Sequence, residues 1–363
     1  MAGRRHHTIP QFILKGFSEN SSDSERYTWL YRKGQLGHRV NIKNVAAERD
    51  FYGNAKETDL DAVITRIESA LAIVTDELRS TKMSSNFVPV NHPRIPELVS
   101  HLVVRTQQLR KSMADMPLSM VRGISEELRS VQACRQVLLN HLVGDEGKEL
   151  VREELTRRGL STFDAQRQAS FVAKNAAVII ERVLPDFYPT YLSLLDEVVR
   201  IGGIAARPAT RTAHLNSLSE HILQNPRSER YSPFTWAILT SPGTTILGDS
   251  VCVFETKGKR RYKPLDSDDE EVLHILFPLS PSTILVGRRY TATPLVDVSK
   301  LNKAIASCSY EFFVSATPTA GLDAISQRIG AWAGLLSREE MERLVRDSVL
   351  DMLGPKLREV GLK

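Results

Sequence analysis

Apolar residues step by four and three through Leu60, Ile64, Ile67, Leu71, Val74 and Leu78, which is the stripe of an amphipathic helix over 59–79. Glu68 borders that stripe one turn from Ile64 and Leu71, where a carboxylate is half covered. After a Ser-Ser-Asn and proline-containing break, Leu98, Leu102 and Leu109 mark a second helix from Pro96 to about Met113. Arg105 falls on the same side as those leucines. An unpaired charge there is costly, so Arg105 needs a carboxylate, an anionic ligand or a route to the surface. From about Leu118 to Gln224 the pattern predicts roughly four or five helices, separated by the glycines and prolines near 144–147, 159, 185–189 and 202–208.

At Ser232 the apolar period shortens to that of strands, predicted at 234–239, 244–247, 273–279, 284–287 and 311–314. Helices are expected near 298–306, 322–336 and 338–353. Near the start, aromatic-rich 26–33 and the returning 38–42 form a hairpin around Gly34 and Gly37, preceded by a Ser-rich loop over 19–25. Strands at both ends of the helical block must cover their edges, and pairing with each other is the simplest way. The expected fold is α+β, with a mixed sheet from the N-terminal hairpin and later strands around a large helical middle. It is read as one compact unit over 1–363, made of 1–56 (helix and hairpin), 57–230 (helical block) and 231–363 (strands and C-terminal helices). That pairing is expected to bring His7 towards Asp249.

The opening His6-His7-Thr8-Ile9-Pro10-Gln11-Phe12-Ile13-Leu14-Lys15-Gly16-Phe17 holds the densest set of unusual residues. Thr8 and Gln11 have capping-box spacing, and Pro10 suits a first helical turn. Ile9, Ile13 and Phe17 then anchor one face, while His7, Gln11 and Lys15 lie on another.

Composition changes this picture little. The 48 Lys and Arg against 43 Asp and Glu leave a net charge of +5, which permits an anionic partner without requiring one. Three widely spaced cysteines, Cys134, Cys252 and Cys308, argue against a disulfide framework and suit a reducing compartment. No apolar run resembles a signal peptide or approaches the roughly 18 residues of a membrane span, so the expected location is the cytoplasm and no membrane partner is expected.

No Gly-rich phosphate loop, His-Glu-x-x-His, Cys-x-x-Cys or Gly-x-Ser-x-Gly is present. What remains is a constellation of His6, His7, Arg105 and Asp249 as candidate catalytic residues, with Gln11 and Glu68 as candidate ligand-binding ones. An imidazole can act as general base, Asp can orient it, and Arg can neutralise an anion. These types suit a hydrolase acting on a phosphodiester or other anionic substrate. The alternative is a non-catalytic protein that binds an anionic ligand or a protein partner: Arg105 with Glu68 or Asp249 is then a structural ion pair, and Asp249 a turn residue. A divalent metal could be held by His6 or His7 with Asp249 and Glu68, but no pair of them has a diagnostic spacing. His214 and His221, two turns apart on a predicted helix, are expected at the surface. The basic run Lys257, Lys259, Arg260, Arg261, Lys263 is followed by Asp266, Asp268, Asp269, Glu270 and Glu271, so it is read as a self-neutralising loop. Tyr27, Trp29 and Tyr31 alternate onto one face as core residues would, and could stack bases only if that face is exposed. Any nucleic acid is therefore expected in a confined cleft around His7 and Arg105.

His-His-x-x-Pro-Gln-x-x-Leu-x-x-Phe at 6–17 resembles the signature of an uncharacterised, mainly bacterial family, domain of unknown function 4238. Asp50-Phe51-Tyr52 and Phe277-Pro278-Leu279-Ser280-Pro281 resemble further motifs of that family. At Gly248-Asp249-Ser250 the family commonly has Ser-Asp-Asn-Pro; Asp249 matches, while Gly248 and the residues after Asp249 depart from it. The resemblance spans roughly residues 6 to 290 and brings no reaction with it.

Overall fold

The computed structural model describes residues 5–22, 25–49, 58–82, 85–224, 226–258, 260–267, 271–290 and 297–353. In chain order, the first part is β1 (Arg5–His7), α1 (Gln11–Leu14), β2 (Glu19–Ser22), β3 (Glu25–Arg32), β4 (His38–Asn41), β5 (Ala47–Arg49), α2 (Thr58–Arg79), β6 (Phe87–Val90), α3 (Ile95–Val104) and α4 (Gln107–Leu128). Then follow α5 (Val131–Val143), α6 (Asp145–Arg157), α7 (Thr162–Lys174), α8 (Ala176–Gln224) and α9 (Pro226–Tyr231). The last part is β7 (Thr235–Thr240), β8 (Leu247–Gly248), β9 (Val253–Thr256), β10 (Tyr262–Lys263), β11 (Val272–Ser280), β12 (Thr283–Arg288), α10 (Val298–Cys308), β13 (Phe312–Ser315), α11 (Ala320–Ser326) and α12 (Arg338–Leu353). Contacts group these into two units, Met1–Met116 with Pro208–Ser337, and Pro117–Arg207 with Arg338–Lys363.

The first unit is α+β. Its strands form a ribbon β1-β5, a sheet β10-β9-β11-β12-β7-β6, and a sheet β2-β3-β13-β8 with β4 on the other side of β3. Every pairing among the described strands is antiparallel. The N-terminal hairpin does pair with a late strand: Tyr31 lies opposite Phe313, their rings stacked at 5.0 Å. The main core joins Ile9, Ile13, Leu14 and Phe17 to Leu71 and Leu78 of α2, Leu98 and Leu102 of α3, and Phe277 and Leu279 of β11. The stripe on α2 is buried at every described position except the partly covered Ile67; the side chain of Leu60 lies outside the described residues.

Several elements differ from the pattern's expectations. The Thr8–Gln11 capping box does not form. Thr8 donates both its amide (2.8 Å) and its hydroxyl (3.2 Å) to the Ala46 carbonyl, because the chain is still finishing the β1-β5 ribbon there. The first part of the Ser-rich stretch, Glu19–Ser22, is strand β2, and the proline-containing break holds β6, with Pro89 in an edge strand where a missing amide is tolerated. The helix expected from 96 to 113 is two helices. Arg105 ends α3 at φ −99°, ψ 3°, and the Thr106 hydroxyl caps α4 by accepting the Leu109 amide at 3.1 Å. The helix expected over 322–336 is short, ending at Ser326.

The second unit packs α5 on α8 through Cys134, Ile180, Leu184 and Tyr191. Helix breaks were expected at the α8 prolines and glycines, yet α8 runs unbroken for 49 residues. Pro185 and Pro189 are exposed, so the carbonyls they leave without an amide can be hydrated. Gly202 and Gly203 lie where α4 comes close, a Cβ on either falling within 4 Å of Val121 or Leu118. All three cysteines are free and buried, and burial pushes the Cys308 thiol up to about 12.

The opening motif is fixed from below by Arg79. Its guanidinium donates to the carbonyls of Phe12 (2.8 Å), Ile13 (3.1 Å) and Leu279 (2.9 Å), satisfying the end of α1 and tying it to β11. Gly16 makes room for this: a Cβ there would lie 2.2 Å from the Leu279 oxygen and 2.4 Å from the Arg79 guanidinium. Gly16→Ala is therefore expected to destabilise the protein by about 2 kcal/mol in urea unfolding, the usual scale of overpacking. A variant as stable as the native chain would contradict this packing.

Candidate functional site

His6 and His7 sit on β1, opposite Glu48 and Ala47 of β5, and so project to opposite faces of the ribbon. On one face the His7 Nδ1–H donates to the Val45 carbonyl at 3.1 Å. That fixes the tautomer, and the Nε2 lone pair accepts from the Gln11 amide at 2.9 Å. The bond links residues four apart, as the shared side of 7, 11 and 15 in the sequence suggests. His7 and Gln11 are half-buried.

Arg105 locks this segment to the helices. Its Nη2 donates to the His7 carbonyl at 2.7 Å, its Nη1 to His101 Nε2 at 3.1 Å, and Nη1 is also ion-paired with Glu68 of α2. The guanidinium is 2% exposed and Glu68 26%. Four of the six residues singled out in the sequence, His7, Gln11, Glu68 and Arg105, are thus joined in one network. His101 completes it; its place one turn before Arg105 was readable in the sequence but gave no separate signal.

The His6 face carries a second polar group. Glu48 accepts from Gln107 at 3.2 Å and pairs with Arg110, both on the first turn of α4. Behind them His214 of α8 donates from Nε2 to the Val104 carbonyl at 3.0 Å, satisfying an end carbonyl of α3. His214 is buried rather than at the surface, and burial, aided by the Arg110 charge, pushes it down to about 4. The side chain of His221 lies outside the described residues.

Asp249 is placed differently. Its carboxylate accepts the amides of Tyr310 (2.7 Å), Glu311 (2.6 Å) and Phe312 (3.2 Å), and so holds the start of β13 against the end of β8. Among the described residues it bonds to none of His6, His7, Gln11, Glu68 or Arg105. Burial pushes its carboxyl up to about 6, against the three amides that favour the ionised form. The turn that follows is tight: Val251 has φ +63°, and the Cys252 amide reaches the Ser250 carbonyl at 2.7 Å.

The basic run is partly spent locally. Arg261 donates to Glu255 at 2.7 Å and Lys257 pairs with Glu271 at 3.4 Å. Asp266 is buried among Arg227 (3.0 Å), Arg230 (2.5 Å) and the Tyr231 hydroxyl (2.8 Å). The segment follows β9 and contains β10 rather than being one long loop; Lys259, Asp268, Asp269 and Glu270 lie outside the described residues. Among the described residues no group of three or more His, Cys, Asp or Glu side chains is arranged to hold a metal ion. No helix among them is long and apolar enough to cross a membrane.

The model of a family described as "Protein of unknown function (DUF4238)" matches residues 5–319. That span includes both polar groups and Asp249; Asp50-Phe51-Tyr52 falls within it but outside the described residues. Searches of curated proteins and of solved structures return no match.

Proposed function

Starting from the premise that the chain belongs to the DUF4238 family, whose description carries no activity, we propose that it is a non-catalytic protein that binds an anionic ligand or partner. The observation that supports this reading is the engagement of Arg105. All its contacts described above are internal, to Glu68, His101 and the His7 carbonyl, at 2% exposure, which leaves no room to meet a substrate anion. Asp249 is likewise occupied by three backbone amides. On this reading His7, Gln11, Glu68 and Arg105 shape and fix the N-terminal motif, and a divalent metal is not required. Three buried free thiols favour a reducing compartment, which fits a bacterial cytoplasm.

A second reading, a hydrolase acting on a phosphodiester, is favoured by one feature. His7 has its Nδ1–H fixed by a carbonyl and its Nε2 at a half-buried edge, the tautomer a general base needs once the Gln11 amide that Nε2 now accepts moves away. A chromogenic phosphodiester and single-stranded RNA, each assayed with and without added Mg²⁺ or Zn²⁺, separate the two. The binding reading expects no turnover above that of His7→Ala. Turnover abolished by His7→Ala would establish the hydrolase instead.

A further inference from the structure

We propose that the β3–β4 hairpin is a contact surface for single-stranded nucleic acid; this rests on the binding reading above and names its ligand. Residues 26–43 contain Arg26, Arg32, Lys33, Arg39 and Lys43 and no Asp or Glu. Arg32 is used internally, 3.7 Å from Glu311 and over the Phe312 ring. Among the described residues no carboxylate pairs with the other four. Lys33, Arg39 and Lys43 are exposed, and so is Leu36 at the tip, at 79%. Among the described residues strand β4 is bonded only to β3, which leaves its outer edge without a described strand partner.

The face beside that edge supplies a stacking platform. Register places Trp29 opposite Arg39 and Tyr27 opposite Asn41, so the aromatics and Arg39 share one side of the hairpin. The Arg39 guanidinium lies 4.4 Å over the Tyr27 ring. Tyr31 is core, as the alternation suggested, but Tyr27 and Trp29 are only half-buried. A flat guanidinium–aromatic pair on a hairpin that also carries the exposed Lys33 and Lys43 matches unpaired bases on a phosphate backbone. An acidic peptide would use the cations and leave the platform idle. Of the flanking carboxylates, Glu25 accepts the Tyr27 hydroxyl at 2.8 Å and Glu19 lies opposite Tyr27 on β2, so both sit on the side of β3 away from β4, while Glu48 is taken up by Arg110 and Gln107.

The test is fluorescence anisotropy with a labelled single-stranded oligonucleotide of about 12 residues, at several salt concentrations between roughly 50 and 200 mM. Three phosphate contacts, from Lys33, Arg39 and Lys43, give a log–log salt slope of about −2. The triple variant Lys33→Ala, Arg39→Ala, Lys43→Ala should bind at least about tenfold more weakly, and Tyr27→Ala several-fold more weakly, each with an unchanged melting temperature. The proposal is overturned by absence of binding at the lowest salt, by a triple variant that binds like the native protein, or by polyglutamate displacing the probe as well as unlabelled oligonucleotide does. Cleavage of the probe that still requires the three cations would overturn the non-catalytic reading and leave the hairpin contact supported.

Discussion

Arg105→Met is expected to lower the free energy of unfolding by about 3 kcal/mol, near the bottom of the range for breaking a buried ion pair. The methionine fills similar volume, so little of the loss is cavity. What remains behind decides the size: the His7 carbonyl and His101 Nε2 lose a donor in the interior, and Glu68 keeps a charge without its partner. Glu68 is about a quarter exposed and can recover part of its hydration, which keeps the loss below that of a fully buried pair. Arg105→Lys should recover little, since one ammonium cannot span the carbonyl, imidazole and carboxylate that the guanidinium fork joins. An unchanged or raised melting temperature in Arg105→Met, with ligand binding lost, would instead make Arg105 a ligand-binding group.

The second large effect appears only against pH. Asp249 has a folded pKa raised from 3.8 to about 6, so its contribution is fully present below pH 3.8 and is lost as pH rises through 6. His214 has a folded pKa lowered from 6.5 to about 4, so the unfolded chain binds the extra proton and stability is lost as pH falls from 6.5 towards 4. Each shift is worth on the order of 3 kcal/mol, and over pH 4 to 6 the two slopes oppose each other. Asp249→Asn removes one of them. Relative to the native protein, the variant should lose an additional roughly 2 kcal/mol between pH 6.5 and 4.5, read from urea unfolding at steps of half a pH unit. Parallel profiles for variant and native protein would mean that Asp249 is not held protonated by its burial.

Much of the network was legible because each member broke a local pattern. Arg105 interrupted the 98, 102, 109 stripe and Glu68 bordered the α2 stripe, and those two form the ion pair. His7 and Gln11, four apart, are bonded. Helix α2, hairpin β3–β4 and strands β7, β11 and β12 follow from periodicity alone, to within a few residues. The features that escaped depend on long-range neighbours. Strands β1 and β5 have three residues each, too few for a period, yet their pairing brings Glu48 beside His6. His214 looked like a surface residue because nothing local reveals that the Val104 carbonyl lies against it. The break between α3 and α4 turns on the Thr106 hydroxyl, a cap hidden within a continuous apolar pattern. Asp249 stood out in the sequence, but its partners are backbone amides 61 to 63 residues away, which no motif encodes.

That Arg105 and Glu68 hold the opening motif in place, rather than acting on a ligand, is tested most directly by a double-mutant cycle. Arg105→Met, Glu68→Gln and the double variant are unfolded in urea at pH 7 beside the native protein. If the pair is structural, the two losses are strongly non-additive, with a coupling energy of about 2 kcal/mol, because either change alone breaks the same buried bond. Additivity within about 0.3 kcal/mol would contradict the account, leaving Arg105 buried for some purpose other than its bond to Glu68.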